Sequence, residues 1–271
     1  MSSERVSQQA FLGVSALLFA ASAAVTIAWC ASTPVMDAMS MPGRWTMPMS
    51  GSWTISMVWI RMPGQTWPGA AASFVGMWIV MMMAMMLPSL VSMLWRYREA
   101  VGERGAMHLG RLTTLVGAGY FIVWTVFGMA AFPLGVALAA IEMQQPAIVR
   151  AVPIEIGVVV MMAGFLQFTE WKARHLTCCR EAPRHGHVLP AVASTAWRHG
   201  LRLGLHCVYC CAGLVAILLV IGIMDLRAMA AVAAAITVER LAPGGGRVAR
   251  ATGAVVVVTG LLLIAQAVGL V

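Results

Sequence analysis

Charged residues punctuate this chain at long intervals, and the runs between them are apolar for about 20 residues at a time. That is the length an α-helix needs to cross roughly 30 Å of hydrocarbon at 1.5 Å per residue. Five such runs fall within 10–30, 70–95, 112–141, 203–224 and 251–271. A sixth, 151–170, qualifies with Glu155 close to its boundary. Residues 226–241 carry Arg227 and Glu239 and leave only 228–238 uncharged, so they predict a short seventh span. The pattern predicts an all-α fold: a polytopic transmembrane helical bundle of about seven spans, forming one domain over residues 1–271. An outer loop at 31–69 and a cytoplasmic loop at 171–202 complete it.

Composition agrees, with 61% of the 271 residues hydrophobic and 10% charged. No soluble core of this length needs so much apolar surface. Charge then sets the orientation, because positive loop charge is retained on the cytoplasmic side. With seven spans and the N-terminus inside, fourteen of the eighteen Lys and Arg residues fall in cytoplasmic segments; only Arg44, Arg61, Arg150 and Arg227 face outward. The arrangement is therefore N-in and C-out. The net charge of +8 reads as topology and contact with the anionic lipid of the bilayer, with no basic domain to serve nucleic acid. Bulky Trp29 before Cys30 makes the first span an uncleaved anchor. Glu155, Asp225 and Glu239 sit near span ends, where they are expected at the interface or paired with Arg150, Arg227 and Arg240.

Sulfur and imidazole are sorted by the same topology. All six His and five of the six Cys lie at or near the cytoplasmic side, whereas the outer loop carries Met36, Met39, Met41, Met47 and Met49 in a Pro- and Gly-rich Met-x-Met pattern. In a reducing cytoplasm thiols stay free and bind metal as thiolates, while thioethers bind Cu(I) and cannot form disulfides. In the second span Met77, Met81 and Met85 share one helical face, with Met82 and Met86 on the next. Methionine also fills irregular gaps in helical cores, so this ladder is either a soft-metal path or packing. In the fifth span, His206, Cys207, Cys210 and Cys211 converge at helical i, i+3 and i+4 spacing. His175 and Cys179 share a face in the loop before it, and folding back would make a mixed site with Cys207 and Cys210. His185, His187 and His199 are expected to be solvated. Such donors suit Cu(I) ahead of zinc. Cys207-x-x-Cys210 is also a thiol-exchange pattern, which keeps a membrane thiol oxidoreductase open. A soft-metal permease and a non-catalytic subunit of a larger membrane complex are the other readings. No Walker loop, dinucleotide glycine motif or His-Glu-x-x-His is present.

From about Met77 to Gly260 the chain resembles a family of bacterial metal-binding integral membrane proteins that includes a copper chaperone for a tyrosinase-type polyphenol oxidase. The resemblance rests on the Met77–Ser89 run, Tyr120–Trp124, Gln167–Arg180, Gly204–Asp225 and Glu239. It departs at His175 and at His206, where a family Cys and Tyr respectively give way to imidazoles. The resemblance implies a multi-pass protein of the bacterial inner membrane that handles copper without catalysis. Its partner would be a cuproenzyme client or a larger membrane complex.

Overall fold

The computed structural model describes residues 2–32, 38–40, 46–48, 59, 64–102, 108–144, 146–181 and 190–269. Each apolar run forms a helix. These are α1 (Ser2–Ser32), α2 (Trp67–Val101), α3 (Leu109–Gln144), α4 (Pro146–Leu166), α5 (Glu170–Glu181), α6 (Ala193–Ile221), α7 (Leu226–Leu241) and α8 (Gly245–Ala267). Two three-residue strands, β1 (Ala38–Ser40) and β2 (Thr46–Pro48), pair antiparallel with Met39 opposite Met47. Met36, Met41 and Met49 lie outside the described residues.

Five helices, α1, α2, α3, α6 and α8, are long and apolar enough to cross a membrane. The fourth predicted span is different: Val152–Leu166 and Glu170–Glu181 meet at a 65° bend. The segment read as a loop at 171–202 is therefore partly helical, supplying α5 and the first turns of α6. At 16 residues, α7 has the predicted bounds, and its rise of roughly 24 Å falls short of the hydrocarbon thickness.

Helix α2 is the central element. Thr66 caps its start by accepting from the Gly69 amide, and Pro68 occupies the first turn, where no N–H is needed. Over half of its most apolar stretch is buried, against about a tenth for α1 and α3. Those outer helices turn residues such as Leu17, Val126 and Leu134 outward. A surface of that kind is costly in water and costs little in lipid.

Small residues set the closest approaches. On α6, a Cβ at Gly204 would stand 2.9 Å from the Tyr120 carbonyl of α3, and one at Gly200 would run into the Val116 carbonyl. On α4 and α8, a Cβ at Gly260 would lie 2.8 Å from the Gly157 carbonyl. Small-xxx-small spacing lets helix backbones touch where no hydrophobic force would otherwise drive them together. The α3–α6 contact is what carries Tyr120 to the cysteines of α6.

Candidate metal centre

Helix α6 begins with polar turns and becomes apolar at Leu203, so His206-Cys207-Val208-Tyr209-Cys210-Cys211 lies near the start of its apolar run. The 3.6-residue repeat turns Cys207, Cys210 and Cys211 inward, and all three are buried. From α5, Cys179 is also buried and lies close to Cys210; Cys178 beside it is exposed. Cys210 and Cys211 bring their sulfurs to 3.5 Å. Helix α5 packs against α6 beside this group of thiols.

A guanidinium stands among these thiols. Arg240, 4% exposed, donates through Nη2 to Cys207 Sγ at 2.8 Å, Cys211 Sγ at 3.2 Å and Cys210 Sγ at 3.4 Å. Its Nη1 donates to Ser89 Oγ of α2 at 3.1 Å. Tyr120 Oη of α3 lies 2.9 Å from Cys207 Sγ. Residues of α2, α3, α5, α6 and α7 thus meet at one buried point.

Lys172 of α5 forms a buried ion pair with Glu239 Oε2 at 2.8 Å and donates to the Cys210 carbonyl at 2.5 Å. Glu239 was expected at the interface or on Arg240; it is 1% exposed and its ion-pair partner is Lys172. The reason is geometric, since residues 239 and 240 are neighbours on α7 and point along different directions. Glu239 Oε1 is buried with no hydrogen-bond partner among the described residues. Asp225 instead caps α7, accepting from the Arg227 and Ala228 amides. Glu155 is exposed. Arg180 of α5 donates to the Ala242 and Pro243 carbonyls beyond the end of α7, fixing α5 to α7 beside the site.

Charge balance gives this cluster its character. Among the described residues Arg240 has no carboxylate ion-pair partner, and Lys172 is matched by Glu239. An uncompensated buried cation costs several kcal/mol. The groups within reach that can offset it are thiols in their thiolate form.

Half-buried His175 and His206 flank the cluster with their Nδ1 atoms 3.1 Å apart, one donating and the other accepting. Trp171 and Tyr209 pack against His175 with ring centroids at 4.9 and 5.1 Å. The predicted Cys and His donors are therefore brought together. Among the described residues, however, no three His, Cys, Asp or Glu side chains already surround a single metal position. The guanidinium occupies the middle.

Met81, Met82, Met85 and Met86 are all buried along α2, in the packed core. His199, expected in solvent, is half-buried and stacks on Tyr97 at 5.4 Å; His185 and His187 lie outside the described residues. The sequence pattern put none of Arg240, Lys172, Ser89 and Tyr120 among the candidate site residues; Arg240 entered only as a partner for Glu239. A charge pair inside a short apolar helix was the one available signal for Glu239 and Arg240, and it reads equally well as a span boundary.

No curated protein and no solved structure matches the chain. A model of the PpoB2 copper chaperones matches residues 75–263, a stretch that contains every residue of this cluster from Ser89 to Arg240. A buried four-thiol group built around a cation is chemistry suited to a soft monovalent metal, and the chain belongs to this copper chaperone family.

Proposed function

We propose that the chain is a single-domain, multi-pass protein of the bacterial inner membrane, N-in and C-out, that holds Cu(I) at the thiol cluster for delivery to a cuproenzyme. The observation that carries this reading is Arg240 Nη2 within 2.8–3.4 Å of three sulfurs. The cluster already holds a cation. Cu(I) takes the guanidinium's place among Cys207, Cys210 and Cys211, with Cys179 beside Cys210 and the His175–His206 pair as further donors at the half-buried edge. Thiolate affinity supplies the driving force, and the displaced Arg240 retains Ser89 Oγ. Release to a client is ligand exchange between soft donors of similar affinity, so the metal is never free and no bond of a substrate is made or broken. In the proposed topology the loop whose sequence carries Met36, Met39, Met41, Met47 and Met49 is on the opposite side of the membrane, and Met81, Met82, Met85 and Met86 are buried along α2.

The test is anaerobic Cu(I) competition against a chromophoric chelator, using the purified full-length chain in detergent. Sub-micromolar binding that weakens at least tenfold in a Cys207→Ser, Cys210→Ser, Cys211→Ser variant is expected. Binding that is absent, or indifferent to those replacements, overturns the reading. Reporter fusions within 31–69 and 182–189 should report opposite sides of the membrane.

A further inference from the structure

A second concentration of sulfur meets α2 on the N-terminal side of Ser89, at Met77 and Met81. A narrow crevice, with room for about one water-sized sphere, opens between the last turns of α1, residues 77–81 of α2 and the α6–α7 junction. Its lining includes Cys30 of α1, Met77 and Met81 of α2, Met224 of the junction and Met229 of α7. Five of nine lining residues bear sulfur, in a chain where Met and Cys together make up about a tenth of the residues. Cys30 Sγ and Met224 Sδ, from positions 194 apart in sequence, lie 3.8 Å from one another.

We propose that this crevice is a second Cu(I) site, built from thioethers and one thiol, separate from the Arg240 cluster. Four thioethers are neutral donors that favour a soft monovalent cation over hard or divalent ions. Cys30 adds the one ligand that can become anionic, giving its proton to solvent as the metal binds. The helical rise places the two sites roughly 17 Å apart, whether counted from Met77 to Ser89 on α2 or from Met229 to Arg240 on α7. Buried Met82, Met85 and Met86 lie in the interval.

The choice of copper as the metal rests on the proposed function, and the experiment separates the two. Cu(I) stoichiometry is measured on the full-length chain in detergent in two backgrounds. The first carries Cys179, Cys207, Cys210 and Cys211 all replaced by Ser. It should retain about one equivalent of Cu(I), with sulfur scatterers in the X-ray absorption spectrum, and lose it when Met224→Leu and Met229→Leu are added. The second is the otherwise unaltered chain with Met224→Leu, Met229→Leu and Cys30→Ser, changes that preserve volume and so the fold. It should bind about one equivalent fewer than the unaltered chain while keeping its thiolate signature. Stoichiometry unmoved by the Leu replacements in either background overturns the crevice site and leaves the thiol cluster standing. If the four-Ser variant does not fold, the second background alone decides. Loss of thiolate-bound copper in the second background, with thioether-bound copper retained, would overturn the thiol-cluster reading and the assignment of the crevice together.

Discussion

The two sulfur-lined regions of this bundle are built on opposite electrostatic terms. Around Arg240, four thiols from two helices are closed off from solvent and interlocked with a guanidinium, a tyrosine and a Lys–Glu ion pair. Around Cys30, thioethers line a narrow crevice, and the charge nearby is a carboxylate capping α7. Thiols become good ligands by ionising, so burying several of them as thiolates requires a cation to balance them. Thioethers are neutral in every state and need none. The region holding more negative charge must therefore be more rigidly built, and it should be the more fragile to mutation.

The sharpest way to break the contrast is Glu239→Ala, which strands the buried ammonium of Lys172. Removing one partner of a buried pair costs about 3–5 kcal/mol, so thermal unfolding in detergent should show a large loss of stability. Pairing it with Lys172→Met should recover much of that loss. A full-sized loss in the double variant would mean that the pair supports the cluster by more than charge balance.

Gly200→Ala comes next, because its methyl would meet the Val116 carbonyl and push α6 off α3. A cost of about 1–3 kcal/mol is expected from such overpacking, together with weaker Cu(I) binding as Tyr120 draws away from Cys207. Gly13→Ala, where nothing lies within 4 Å, is the control and should change neither.

Acid should separate the regions chemically. A thiolate must lose its proton to bind metal, so Cu(I) affinity at the cysteine cluster should fall by about tenfold per pH unit for each proton taken up on release. The four-Ser variant, whose crevice carries one thiol, should show at most one such proton. Equal pH slopes in the two chains would abolish the distinction. Tyr120→Phe is the smallest of the changes: it removes one hydrogen bond to Cys207 and should cost about 1 kcal/mol.

The sequence by itself determined the helices and the local part of each site. Uncharged runs located the five membrane-length helices, since hydrocarbon thickness and helix rise fix that length independently of neighbours. The 3.6-residue repeat likewise put Cys207 with Cys210 and Cys211, and Met77 with Met81 and Met85. It did not show the bend between α4 and α5, because the break at 167–169 carries no Pro or Gly to announce it. Tertiary structure alone decided which distant residues meet. Arg240 and Glu239 look in sequence like the charged end of a short span, and become the balancing charges of a thiol cluster only when α7 packs against α2 and α6. Cys30 looks like a solitary thiol at a helix end until the α6–α7 junction brings Met224 to it. The physical reason is the same in both cases. Helical spacing is a property of a few consecutive residues, whereas the pairing of a charge or a sulfur across helices depends on packing that the sequence pattern of one helix does not encode.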